Sequence, residues 1–270
     1  MASPAAQEES GMNEFSYSRA TSLRDAVRSQ DKSGKAKYLA GGQTLLPSIK
    51  QLLDAPERLI DLSGAGLDGI EVGRKTITIG AMTRHADVAA SAQVREAIPA
   101  LADLAGRIGD AQVRNRGTIG GSVANSDPAA DYPAALIGLC AIVHTNARKI
   151  PAEKFFVGLF QNALKSGELI TKVEFEIPTG AAYEKFANPA SRYAIVGVFA
   201  ASFDHVMRIG VTGAAHFAFR WAEAEGHGLG VKDLSNVSLD QSRFNSDLYA
   251  SATYRAHLVR VLTLRAVSRL

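Results

Sequence analysis

Apolar and polar positions change period several times along the chain. Leu23, Ala26 and Val27 recur at helical spacing, and Thr21 or Ser22 can cap a helix over 22–29. A short strand is predicted over 37–40, followed by Gly41-Gly42-Gln43-Thr44 and a helix over 45–53. Pro47 is compatible with that helix, because the first turn has no intrahelical partner for the N–H that proline lacks. Strands are predicted over 58–62 and 76–79, the second by strict alternation, and helices over 83–90 and 98–108. Residues 117–125 read as an irregular glycine-centred turn, 129–139 as an apolar helix, and 140–145 and 171–177 as strands. Phe155, Phe156, Leu159 and Phe160 give 154–164 the pattern of an amphipathic helix. Pro178-Thr-Gly is the best boundary. Beyond it, 194–203 and 207–212 read as paired strands and 246–270 as one or two helices. Strands interleaved with helices imply α/β or α+β architecture, not a bundle or a sandwich.

Composition narrows the function classes. The 270 residues are 46% hydrophobic and 21% charged, enough for a substantial core and ordinary for a globular chain. The net charge is only +3, and no basic run carries interleaved aromatics, so nucleic-acid binding has no support. The apolar runs at 132–143 and 194–203 fall well short of the roughly 20 residues of a membrane span. Residues 1–11 are polar and acidic and lack the pattern of a secretory signal, so they are expected to be a flexible extension and the protein cytoplasmic. The single cysteine, Cys140, excludes a disulfide framework, a cysteine zinc site and an iron–sulfur cluster within the chain, since a cluster takes about four. Cys140 sits in an apolar run and reads as a buried structural thiol. His85, His144, His205, His216, His227 and His257 have neither metal spacing nor a partnered acid, and read as surface or core residues.

Two glycine clusters carry the candidate chemistry. Ala40-Gly41-Gly42-Gln43-Thr44 joins a predicted strand to a predicted helix; Thr118-Ile119-Gly120-Gly121-Ser122 lies in the glycine turn. Glycine lets the backbone turn sharply and lets a ligand approach N–H groups, which suits phosphate oxygens. Neither cluster is G-x-G-x-x-G or G-x-x-x-x-G-K-[ST], so neither a nicotinamide Rossmann site nor a P-loop is supported. Two such turns could clamp one diphosphate from two sides; each could also be a plain turn.

In order and spacing, these motifs resemble the flavin subunit of the molybdenum hydroxylase family. That family includes the medium subunit of aerobic carbon monoxide dehydrogenase and its relatives, and is similar to the flavin domain of xanthine dehydrogenase. The resemblance runs from about Phe15 to Leu270. It rests on Leu39-Ala-Gly-Gly-Gln-Thr-Leu-Leu-Pro, Ile79-Gly-Ala-Met-Thr, and Ile108-Gly-Asp-Ala-Gln-Val-Arg-Asn-Arg-Gly-Thr-Ile-Gly-Gly-Ser. Asp127-Pro-Ala-Ala-Asp-Tyr-Pro, Tyr183-Glu-Lys-Phe, Tyr193-Ala-Ile-Val-Gly-Val and Tyr254-Arg-Ala-His-Leu continue it.

The resemblance implies an α+β chain: a two-subdomain FAD-binding fold of the vanillyl-alcohol-oxidase-like (PCMH) type over 12–178, divided at 60/61, then a smaller α+β domain over 179–270. It implies FAD, with Ala40–Thr44 and Thr118–Ser122 cradling the diphosphate through backbone N–H groups and the Thr44, Thr118 and Ser122 hydroxyls. Asp131 would accept from a ribityl or ribose hydroxyl. Ile108 and Ile170 would pack on the flavin or adenine rings, and Lys185 and Tyr193 would lie beside the isoalloxazine. Arg192, where many relatives carry an acid, and Asn188-Pro189 depart from the family pattern. The resemblance further implies a heterotrimer with a small [2Fe–2S] subunit and a large molybdopterin-containing subunit. Electrons would leave FAD for an external acceptor such as a quinone, NAD or oxygen. Carbon monoxide, aldehydes, nicotine-like heterocycles and purines all remain possible substrates. A stand-alone flavin oxidoreductase would need a substrate pocket with a poised base, and no His/acid pair nominates itself. An FAD-less scaffold is opposed by the two intact glycine loops.

Overall fold

The computed structural model describes residues 13–30, 35–204, 206–228 and 230–270; the extension expected over 1–11 and the reading of His205 lie outside these. Among the described residues, three sheets of three or more strands follow one another along the chain, with one two-stranded hairpin besides. The first is parallel and three-stranded, in the order Ser16–Arg19, Arg58–Asp61, Ala36–Leu39. Its small core gathers Ala20, Ala26, Ala36, Ile60, Leu62 and Leu169. Ser22 caps the helix Leu23–Ser29 by accepting from the Asp25 amide. The helix Leu45–Lys50 follows the second strand, with Pro47 inside it.

The second sheet is antiparallel, in the order Ile70–Val72, Thr76–Gly80, Ile170–Glu176, Ile142–Thr145, Lys149–Pro151. Period-two alternation puts Ile77 and Ile79 on one face, opposite Phe175 and Val173, and all four are buried. Helices Pro99–Gly106 and Tyr132–Gly138 pack into the same core.

The third sheet runs Gly180–Ala187, Ala194–Phe203, Val206–Thr212, Phe219–Arg220, all antiparallel. The strand Ala194–Phe203 is buried at nine of ten positions. Its lack of alternation has a physical cause: Tyr132–Gly138 covers one face of the sheet and Ala252–Val267 the other. Glycines let that first helix approach closely. A Cβ on Gly138 would lie 2.9 Å from the Phe199 carbonyl oxygen, and one on Gly210 would collide with the Ala134 carbonyl. The chain crosses between sheets near Pro178, yet Tyr183, Phe199 and Ala201 belong to the same core as Ile77 and Leu136.

Three expectations need correction. Cys140 is half-buried, not buried, and sits in a left-handed turn at φ 49°. Residues 117–125 are not an irregular turn, because Ile119–Asn125 is a helix capped by Thr118, whose hydroxyl accepts from the Gly121 amide. Its glycines obscure the helical signal and serve packing: a Cβ on Gly120 would sit 2.7 Å from the Ala81 carbonyl oxygen. Residues 154–164 are not a helix. A 3-10 turn, Ala152–Lys154, leads into a hairpin of Phe156–Gly158 and Gln161–Asn162. Phe155 and Phe156 are buried while Leu159 and Phe160 are exposed, and Phe160 turns the chain at φ 52°. The C-terminal segment forms one helix, Ala252–Val267, that starts after Ser251.

Candidate functional site

The first glycine loop leaves the edge strand Ala36–Leu39 and turns at Gly42, where φ is 74°. Gly41 lies so close to the second loop that a Cβ there would collide with the Arg116 carbonyl. This contact, and not conformational freedom alone, requires glycine at 41. The amides of Gly41, Gly42, Gln43 and Thr44 donate to no acceptor among the described residues, and the Thr44 hydroxyl makes no capping bond. Four unengaged donors in succession suit an anionic oxygen.

The second loop differs. The Ile119 amide donates to the Thr83 carbonyl at 3.1 Å and the Gly120 amide to the Ala81 carbonyl at 2.8 Å. Those of Gly121 and Ser122 donate to the Thr118 hydroxyl and carbonyl. Four of the five expected backbone donors, those of residues 119–122, are therefore already engaged, and the Thr118 amide has no acceptor among the described residues. What the loop presents instead is a surface without side chains at 120 and 121 and the hydroxyls of Thr118 and Ser122.

A cavity of about 590 Å³ runs between the loops. Ala40, Gly41, Gly42, Gln43, Thr44, Thr118, Gly120, Gly121, Ser122, Ile108, Asp131, Ile170 and Tyr193 line it. Ile119 and Lys185 are not on its wall. Ile119 is fully buried in the core behind the loop.

Asp131 explains the position of Lys185. The Asp131 carboxylate accepts from the Lys185 ammonium at 2.7 Å, and from the Tyr183 hydroxyl, inside the protein. Only 2% of the Lys185 side chain and 4% of that of Asp131 are exposed. Burial pushes the Asp131 carboxyl up, while the Lys185 charge and the two hydrogen bonds pull it down. Arg107 closes the cluster: its guanidinium lies 5.4 Å from the Tyr183 ring centroid and donates to the Tyr183 carbonyl. The cation expected beside a flavin ring is thus neutralised behind the wall, and Asp131 is its counter-ion.

The wall segment around Asp131 is held by the third sheet. The Thr212 hydroxyl lies within hydrogen-bonding distance of the Pro128 and Ala130 carbonyls, at 2.9 and 2.7 Å, and the Gly213 and Ala194 amides donate to Pro128 and Ala129. Behind them, Arg255 donates to the Ile195 and Gly213 carbonyls and pairs with Asp247 at 2.6 Å. Tyr193, 45% exposed, ends a loop fastened by Asn188, whose side chain accepts from the Ala190 and Ser191 amides. Arg192 adopts a left-handed backbone, φ 62°. At the other end, Glu168 is clamped by Arg148 and the Thr145 hydroxyl, which fixes the approach to Leu169 and Ile170. His85, Asp127 and Glu168 line the cavity without having been singled out as site residues. Asp127 opens the Asp127-Pro-Ala-Ala-Asp-Tyr-Pro motif, but that the three share one cavity depends on neighbours in space.

The donor set fits a dinucleotide: unengaged amides and hydroxyls near the glycines, with apolar Ile108 and Ile170 on the same wall. Comparison with known proteins agrees. Residues 13–179 match the family model described as the FAD binding domain in molybdopterin dehydrogenase. The chain belongs to the molybdenum hydroxylase family as an FAD-binding oxidoreductase subunit. Among its relatives, the glyceraldehyde dehydrogenase medium chain of Sulfolobus acidocaldarius is 32% identical over 94% of this chain and 97% of its own. The carbon monoxide dehydrogenase medium chain of Hydrogenophaga pseudoflava is 34% identical over 94% and 96%. Reconstituted CO dehydrogenase from Oligotropha carboxidovorans superposes with a TM-score of 0.86 at 31% identity, covering 95% of this chain and 97% of that one. The two-subdomain α+β FAD-binding fold is shared with these structures. Among the described residues, no helix is long and apolar enough to cross a membrane.

Proposed function

We propose that the cavity between the two glycine loops holds FAD, and that the chain takes electrons from [2Fe–2S] clusters on a small partner and delivers them to an external acceptor such as a quinone, NAD or oxygen. The observation that carries this reading is the row of unengaged amides at Gly41–Thr44, facing a glycine surface at 120–121 across one cavity. Bound there, FAD supplies one- and two-electron chemistry that no side chain of this protein offers.

The residues of this chain bind and orient. The first loop binds the diphosphate through its amides, and Thr118 and Ser122 contribute hydroxyls from the other side. Asp131 offers its remaining lone pairs to a ribityl or ribose hydroxyl, with Lys185 as its counter-ion. Ile108 and Ile170 exclude water from the rings, and Tyr193 covers the exposed end. No general acid or base is assigned.

The chain has one cysteine, so clusters must come from elsewhere, and we assign the molybdenum centre to a large third subunit. Relatives of about equal identity are named for glyceraldehyde and for carbon monoxide. That supports placing substrate recognition outside this chain.

Two measurements test the proposal. Purification from the native host should yield three subunits with iron and molybdenum in near-stoichiometric amounts; a lone flavoprotein oxidising an organic substrate would refute it. Gly121→Val should abolish FAD retention, because a Cβ there already lies 2.9 Å from the Thr118 hydroxyl and 3.5 Å from the Ala40 Cβ. Stoichiometric flavin absorbance in that variant would remove the site from this loop.

A further inference from the structure

His85 opens the helix His85–Ala90 and is 4% exposed, yet it lines the cavity. Its Nδ1 is buried and has no hydrogen-bond partner among the described residues. Elsewhere on the wall Asp131 is partnered by Lys185, Glu168 by Arg148, Asp127 by the Ala129 amide and Thr118 by the Gly121 amide, while the Tyr132 hydroxyl behind His85 is also buried without a partner among the described residues. Leaving a buried polar nitrogen unpaired costs about 1–3 kcal/mol. A site that tolerates this beside an open cavity has a reason in what enters the cavity.

The ring is placed, not loose. Its backbone N–H donates to the Gly117 carbonyl at 3.0 Å, tying it to the second loop. A Cβ on Gly117 would lie 2.6 Å from Nε2, so glycine there leaves room for the imidazole edge. Tyr132 packs against the other side, with ring centroids 5.4 Å apart. Burial, helped by the charge of Arg114, lowers the imidazole pKa to about 4, so the ring is uncharged at neutral pH. A neutral imidazole presents one N–H donor and one acceptor nitrogen.

We propose that His85 is a further cofactor-binding residue, whose imidazole hydrogen-bonds a polar atom of FAD at the second loop. It rests on the reading that this cavity holds FAD.

The test is FAD titration of flavin-stripped full-length protein, followed by fluorescence, with His85→Phe, His85→Asn and Gly121→Val. His85→Phe keeps an aromatic ring but removes both nitrogens, and should weaken FAD binding about three- to tenfold, the range of one neutral hydrogen bond. His85→Asn retains an N–H donor and should bind more tightly than His85→Phe. Wild-type affinity in His85→Phe, with affinity lost in Gly121→Val, overturns the role of His85 alone. Wild-type affinity in both overturns the cavity reading. In the unaltered protein with isotope-labelled histidine, the His85 ring-nitrogen resonances should shift when FAD is added; unchanged resonances overturn the inference even if the variants do not fold.

Discussion

Lys185 and Asp131 show how much one buried contact can decide. Removing one partner of a buried ion pair leaves the other charge without compensation, at about 3–5 kcal/mol. Lys185→Met should therefore lower the unfolding free energy of flavin-stripped protein by roughly that amount in urea titrations. Asp131 would then fold more readily in its neutral form. An acid whose folded pKa is raised stabilises below the unfolded value and loses that contribution as pH rises, so the deficit should be smallest in acid. A deficit independent of pH would refute the pairing. Glu168 has the opposite sign. Its bond to Arg148, with help from the Lys165 amide and Thr145, holds its pKa at about 2 against an ordinary 4.5. Its contribution is complete above 4.5 and disappears as pH falls towards about 2. Arg148 is 40% exposed, so solvent screening holds this contribution well below that of a buried pair. Glu168→Gln should flatten the stability profile across that window, and an unchanged profile would rule out the clamp.

At the scale of elements, legibility in the sequence followed the simplicity of each environment. Thr76–Gly80 faces one core, so its alternation survives intact, and the Ser22 cap is visible beside Leu23, Ala26 and Val27. The signal failed where two demands met in one segment. Ile119–Asn125 must be helical and also pass within contact of Ala81, so it carries glycines that a helix disfavours. In 154–164 the spacing of Phe155, Phe156, Leu159 and Phe160 mimics a helix, but only the first two reach the core. The loops were recognisable as glycine pairs. Which of them keeps its amides free depends on Ala81 and Thr83, remote in sequence, and so could not be read. The same holds for Lys185: the Tyr183-Glu-Lys-Phe motif locates it, but only the fold of Gly180–Ala187 shows it turned to Asp131. Thr118→Ala tests this scale. It removes the helix cap and should lower stability by about 1 kcal/mol, seen as a shifted urea midpoint with unchanged slope.

For the whole molecule, the matched FAD-binding region ends at 179, while the core does not. Tyr132–Gly138 is buried on every side because the third sheet covers it, and Tyr183 and Phe199 complete its surroundings. A chain ending at 178 would expose that helix and release the Pro128–Ala130 carbonyls from Thr212 and Gly213. Such a fragment is expected to aggregate or to lose cooperative unfolding by circular dichroism; a cooperatively folded, FAD-binding fragment would show the third sheet to be dispensable.

The glycine contact between Gly210 and Ala134 bears on inheritance. A helix and a sheet that meet backbone to backbone share no adjustable side chains at that point, so neither surface can drift without the other. Chimeras with a relative joined near Pro178 would bring together two halves fitted to different partners. Productive exchange between relatives at about 30% identity is expected to require transfer of the helix and the third sheet together.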